Sequence, residues 1–143
     1  MNTTARILGV DPGDARIGLA LSDELGCMAH PLKTLRAAGT EADARAIAAA
    51  AAEAAAAGIV IGLPRNMNGT YGPAAAKSRA LAEVLGPLTP ARIILWDERL
   101  TTAAASRLLH EAGRNARDQK GMIDRAAAVQ ILQDWLDSRA GPA

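Results

Sequence analysis

Three places in this chain of 143 residues put a carboxylate where it could do chemistry. Asp11 ends the apolar run Ile7-Leu8-Gly9-Val10, and Asp97-Glu98 end a second run, Ile93-Ile94-Leu95-Trp96. Asp124 leads the apolar face of the last helical segment. Carboxylates at the ends of buried strands suit a divalent cation, because a strand end is rigid and open to solvent on one side. Two such ions about 4 Å apart catalyse in-line attack on phosphodiesters. Singly, two of these acids have ordinary explanations. Asp11 with Pro12-Gly13 can be a turn former, and Asp124 can cap the start of a helix and meet its dipole. The three positions together point to a metal site, provided the fold brings them to one edge.

The elements that would position them follow from periodicity. Asp11 closes a first strand, and Pro12-Gly13-Asp14 supplies the turn: Pro fixes φ, Gly permits positive φ, and Asp can bond its own backbone. Ile17, Leu19 and Leu21 then alternate with Gly18, Ala20 and Ser22, which predicts a second strand and a hairpin. Gly9, Gly18 and Ala20 leave room on one face for a helix, another backbone or a ligand. Ala29 to Leu35 reads as a third strand. Thr40 is the expected N-cap of an Ala-rich helix through Ala57, with Gly58 just past its end. Ile59-Val60-Ile61 is a short buried strand terminated by Gly62-Leu63-Pro64.

A polar loop, 65–72, leads to a helix from Pro73 to about Leu85, broken by Gly86-Pro87. Ile93 to Trp96 is the next buried strand. A helix capped by Thr101 or Thr102 is expected to reach Ala112, followed by a mobile segment from Arg114 to Gly121. The last helix is expected from Ile123 to Asp137, with 138–143 as a flexible tail. On it Asp124, Ala127, Ala128, Ile131, Leu132 and Trp135 share one face, which must pack on the sheet. The order β-β-β-α-β-α-β-α-α predicts a single α/β domain over 1–143, with a mixed five-stranded sheet and helices on both faces.

Composition narrows the classes. Half the residues are apolar, yet there is no Phe, one Tyr and two Trp, so aliphatics and Ala must build the core. The single Cys27 excludes an internal disulfide and is expected to be a buried small hydrophobe in a reducing cytoplasm. No stretch reads as a signal peptide or a membrane span. Net charge is +1, but from Arg99 to Arg125 six Arg or Lys stand against three acids, a basic segment suited to a phosphate backbone. His30 and His110 read as structural, and Trp96 and Trp135 as core. Tyr71, in the polar loop, is the one aromatic placed to stack on a base.

Four stretches, in this order, resemble the YqgF family, also called RuvX, of Holliday junction resolvase-like proteins in the ribonuclease H-like superfamily. They are Gly9-Val10-Asp11-Pro12-Gly13 with Arg16-Ile17-Gly18-Leu19-Ala20 and Ser22-Asp23; Gly62-Leu63-Pro64 with Asn66-Met67-Asn68-Gly69; Asp97-Glu98-Arg99-Leu100-Thr101-Thr102; and Ile123-Asp124 with Ala126-Ala127. The resemblance runs from about Ile7 to Leu136. It implies strand order 3-2-1-4-5 and a nuclease site beside the first strand, using Mg²⁺ or Mn²⁺, as two ions. By that match Asp11 is the central ligand, one or both of Asp97 and Glu98 the second, and Asp124 the third. Many nucleases of the superfamily carry an acid on the strand equivalent to Ile59-Val60-Ile61. Here that strand runs into Gly62, so the second ligand has moved to the Asp97-Glu98 strand.

Neighbours on a strand face opposite ways, and both faces of this one are apolar, so the pattern does not choose between Asp97 and Glu98. Glu98 reaches one methylene further and is the expected direct ligand, with Asp97 bonding backbone or Arg99. Arg16, Arg65 and Arg99 are candidates for phosphate contact, although Arg99 could equally pair with Asp97 or Glu98. Asn68 and Tyr71 belong to the same candidate nucleic-acid surface. So do Arg114, Arg117 and Lys120.

The activity implied is metal-dependent phosphodiester hydrolysis in maturation of the 5′ end of pre-16S ribosomal RNA, or alternatively resolution of four-way DNA junctions. The partner is then structured RNA or branched DNA, bound by a cytoplasmic monomer or homodimer without membrane contact. Two rival classes remain: a nucleic-acid-binding module without catalysis, and an ATP-binding half of the actin and sugar-kinase type, which also uses Asp-Pro-Gly before a hairpin.

Overall fold

The computed structural model describes residues 5–64, 71–97 and 116–140, with the backbone alone at 116–125 and 140. Five strands form one sheet: β1 (Arg6–Pro12), β2 (Arg16–Ser22), β3 (Ala29–Arg36), β4 (Ala56–Leu63) and β5 (Arg92–Asp97). Their order is β3-β2-β1-β4-β5. The hairpin partners β1–β2 and β2–β3 are antiparallel, and β1–β4 and β4–β5 are parallel. This is the mixed sheet and strand order expected. Short links permit antiparallel neighbours, whereas the parallel pairs need helical crossovers.

Helices α1 (Thr40–Ala54) and α2 (Pro73–Leu85) cover one face, and α3 (Ala116–Ala140) the other. Under α1 and α2 lie Leu8, Val10, Ile17, Leu19, Ile59 and Ile61. Under α3, Ala20 and Val60 meet Ala128, Ile131, Leu132 and Trp135, with Ile7, Ile94 and Trp96 packed against them. Alternation along each strand sends successive side chains to the two cores, as a sheet buried on both faces requires. No helix among the described residues is long and apolar enough to cross a membrane.

Several boundaries differ from the sequence expectation. Helix α1 stops at Ala54; Ala55 takes the left-handed conformation (φ 54°) and β4 begins at Ala56, so Gly58 lies inside a strand. The Ala run misled because Ala favours helix locally while the ladder with β1 claims its last residues. Gly39, not Thr40, is the N-cap, and no side chain caps the helix. The buried carboxylate of Asp43 instead accepts from the Ala38 N–H at 2.8 Å. Cys27 is exposed at the tip between β2 and β3, not buried.

Helix α3 starts seven residues earlier than expected and runs three further, to Ala140. Gly121 is absorbed within it, at the modest cost a helical Gly carries. Residues 116–121, expected in a mobile segment, are therefore helical. The expected helix from Thr101 or Thr102 to Ala112 lies outside the described residues.

Candidate active site

Asp11 is the last but one residue of β1, and its residue is only 7% exposed. Antiparallel β2 puts Gly18 opposite it. On the other side Val10 is level with Ile61 of β4, which is level with Leu95 of β5. The next level therefore holds Asp11, Gly62 and Trp96, and Asp97, paired with Leu63, stands one residue beyond. Both acids occupy the same end of the sheet, two strand spacings apart, about 10 Å.

Their faces differ. Leu8 and Val10 belong to the core under α1 and α2, so Gly9 and Asp11 face α3. On β5, Ile93 packs on the α1–α2 side, whereas Ile94 and Trp96 pack under α3. Asp97 therefore faces away from the side Asp11 occupies. It is held there by Tyr71, whose hydroxyl donates to Asp97 Oδ2 at 3.3 Å. The Arg79 guanidinium covers the Tyr71 ring at 4.5 Å. With its hydroxyl engaged and one ring face covered, Tyr71 anchors β5 to the start of α2. Trp96 packs against the core under α3, and among the described residues its buried Nε1 has no hydrogen-bond partner.

Helix α3 brings in the third segment. A Cβ on Gly9 would lie 2.7 Å from Leu132 Cβ and 3.2 Å from the Ala128 carbonyl oxygen, so the helix backbone rests directly on β1 there. Farther along, Trp135 and Leu136 share a cavity with Ala5, Ile7 and Arg92, at the opposite end of the strands. Helix α3 thus runs antiparallel to β1. Asp124 precedes Ala128 by about one turn, roughly 6 Å, while Asp11 follows Gly9 by about 6.6 Å of strand. The Asp124 backbone lies at the level of Asp11, on the face Asp11 looks toward. It stands in the third turn of α3, so a helix-capping role is excluded.

The turn after β1 is pinned from two sides. Lys77 Nζ of α2 donates to the Gly13 carbonyl at 2.7 Å and to Asp14 Oδ1 at 3.2 Å. From the other flank the Ala37 N–H donates to the Ala15 carbonyl at 2.9 Å. Gly13 is needed for close approach, since a Cβ would come 2.3 Å from the Arg16 carbonyl oxygen; it is not among the residues with positive φ. Arg16 begins β2, exposed, directly opposite Arg36 of β3. Lys77 and Arg36 escaped the sequence reading because neither lies in a matching stretch; their relevance comes from register and helix packing.

The remaining expected site residues Arg65, Asn68, Glu98, Arg99 and Arg114 lie outside the described residues, and Arg117, Lys120 and Asp124 are described by backbone alone. Among the described residues no three His, Cys, Asp or Glu come together. The donor set nevertheless fits a hard divalent cation. A buried carboxylate at the end of β1, with Asp124 on α3 and Glu98 next in the chain after Asp97, offers oxygen ligands only.

A family model described as "RuvX: Holliday junction resolvase" matches residues 5–138. A protein of Pelotomaculum thermopropionicum named "Putative pre-16S rRNA nuclease" is 44% identical over 138 residues, covering 96% of this chain and 90% of its own. One of the same name from Halalkalibacterium halodurans is 46% identical over 134 residues, covering 92% and 96%. Among solved structures, T. thermophilus RuvC in complex with a Holliday junction substrate superposes with a TM-score of 0.59 at 14% identity, covering 96% of both chains. Fowlpox virus resolvase with Holliday junction DNA gives 0.57 at 10% identity, covering 95% of this chain and 99% of that one. At such identities the likeness establishes the ribonuclease H-like fold.

Proposed function

The chain belongs to the RuvX family, and on that premise we propose that it is a metal-dependent nuclease that hydrolyses phosphodiester bonds in the 5′-end maturation of pre-16S ribosomal RNA. The observation that carries this reading is a coincidence of level and face. Asp11 of β1 and the backbone of Asp124 in α3 lie at one end of one side of the sheet, two strands from β5, whose last residue precedes Glu98.

Asp11, Glu98 and Asp124 would hold Mg²⁺ or Mn²⁺. Bound there, one or two such ions would activate water and stabilise the leaving 3′-oxygen. Asp11 is central because its strand is the middle one of the sheet. Of the two neighbouring acids Glu98 is the proposed ligand, because Asp97 faces the side of Ile93, away from Asp11, and is engaged there by Tyr71. Asp97 acts behind it through Tyr71. Arg16, together with Arg65, Asn68 and Arg99 outside the described residues, would contact substrate phosphates. Arg114, Arg117 and Lys120 would add further phosphate contacts.

The test is cleavage of labelled precursor RNA carrying its 5′ leader, with Mn²⁺ and then with EDTA. Asp11→Asn removes charge but little volume. It should abolish cleavage, by more than the roughly 10–100-fold typical of residues that merely support ligands, without unfolding the protein. Near-wild-type turnover in a folded Asn variant would sink the assignment. The family description favours a second reading, resolution of four-way DNA junctions, and a labelled junction in the same assay decides between them. Binding of either substrate without cleavage by the wild type would return the protein to a non-catalytic binding module.

A further inference from the structure

Arg16 and Arg36 are direct cross-strand partners at the end of the sheet that carries Asp11. The adjacent pair, Ile17 and Leu35, packs on the core under α1 and α2, so both arginines project to the α3 side, as Asp11 does. Along β2, Gly18 stands opposite Asp11, and Arg16 lies two residues away, about 6.6 Å. Gly18 has no side chain, so the surface between the carboxylate and the two guanidinium groups is low. Both arginines are exposed, and among the described residues neither guanidinium group has an ion-pair or hydrogen-bond partner.

Like charges directly opposite on neighbouring strands destabilise a sheet. Such a pair becomes favourable when an anion sits between its members, and guanidinium groups bind phosphate in two-pronged fashion. We propose that Arg16 and Arg36 form a two-guanidinium clamp for one backbone phosphate of the nucleic acid, on the hairpin side of Asp11. The clamp rests on the nuclease reading and gives that site a phosphate subsite. Its ligand, a phosphodiester anion, is common to RNA and DNA.

Lys33 supplies the control. It pairs with Leu19, whose side chain lies in the core under α1 and α2, so Lys33 projects to the opposite side of the sheet with the same charge. Binding of a labelled RNA stem with a single-stranded 5′ extension, and of a four-way DNA junction, would be measured over a salt series in EDTA. Cleavage then plays no part. Arg36→Gln should weaken binding about ten-fold and reduce the slope of log affinity against log salt by about 0.7 to 0.9. Lys33→Gln should leave both near wild type. Arg36→Gln should also melt no lower than the wild type, because it relieves repulsion within the sheet.

Equal losses in Arg36→Gln and Lys33→Gln would overturn the clamp in favour of net charge alone, and an unchanged slope in Arg36→Gln would overturn it outright. A loss seen with RNA and not with the junction, or the reverse, would support the clamp and identify which phosphate backbone it takes. If the wild type bound neither nucleic acid, the nuclease reading itself would fall, and the clamp with it.

Discussion

Lys77 Nζ lies 2.7 Å from the carbonyl oxygen of Gly13, so a charged group on α2 grips the turn that leaves the Asp11 strand. Gly13 cannot move toward Arg16, whose carbonyl already fills the space a side chain would need. Fixing this turn fixes the end of β1 and with it the direction of the Asp11 carboxylate. Positioning and plain electrostatics here predict opposite signs. Removing a cation near acids should tighten a divalent metal by charge alone, whereas loosening the turn should weaken it. Lys77→Met is expected to raise the Mn²⁺ dissociation constant, measured by calorimetry, by roughly three- to ten-fold, below the usual effect of a group that touches a ligand directly. Lys77→Arg should recover most of it. Tighter binding in the Met variant would reverse this account.

The choice between Asp97 and Glu98 is tested through their neighbours. Asp97 holds the Tyr71 hydroxyl on the face away from Asp11. Asp97→Asn, whose amide oxygen can still accept from Tyr71, and Tyr71→Phe, which loses the bond, should both nearly retain Mn²⁺ affinity, with stability reduced by about 1 kcal/mol in Tyr71→Phe and by less in Asp97→Asn. Glu98→Gln should lose the metal. Loss in Asp97→Asn with retention in Glu98→Gln would show the pair reversed.

Gly9 couples packing to the site. Gly9→Ala puts a methyl group 2.7 Å from Leu132 Cβ and 3.2 Å from the Ala128 carbonyl, where no flexible chain end can yield. Overpacking of this kind costs about 1–3 kcal/mol. The strain must push α3 away from β1, and Asp124 with it. Thermal melting should fall, and Mn²⁺ affinity should fall at temperatures where the variant remains folded. A destabilised variant with unchanged affinity would show that Asp124 does not depend on this contact.

Asp23 gives the β2–β3 connection a pH dependence. Its carboxylate accepts the Cys27 N–H at 2.9 Å, and this bond chiefly holds its pKa below the usual carboxylate range. Since the folded value lies below the unfolded one, the stabilisation is full above about pH 4 and is lost as pH falls through the folded pKa. Asp23→Asn should flatten that part of the acid limb in a melting series between about pH 5 and 2. An unaltered limb would mean the bond contributes nothing to folding.

Much of this protein is legible in its residues. Asp11 after Ile7-Leu8-Gly9-Val10, the alternation of Ile17, Leu19 and Leu21, and the spacing of Ala128, Ile131, Leu132 and Trp135 are local patterns. They identify two strands and the buried side of α3, because burial on one face imposes a period that needs no partner to be seen. Gly9 and Ala20 likewise point to a close approach, which α3 makes. The end of α1 was not legible, since the Ala run up to Ala57 favours helix while the ladder beside Arg6 and Ile7 takes Ala56 and Gly58 into β4. Nor was the side that Asp97 takes: Ile93, Ile94, Leu95 and Trp96 are apolar on both sides, and only the two cores reveal that Asp97 faces away from Asp11. The same holds for Lys77 on Gly13 and Arg36 beside Arg16, pairs 64 and 20 residues apart in the chain. A sequence records what each residue prefers near its neighbours; which distant residue it meets is decided by register and helix direction, which the whole core sets at once.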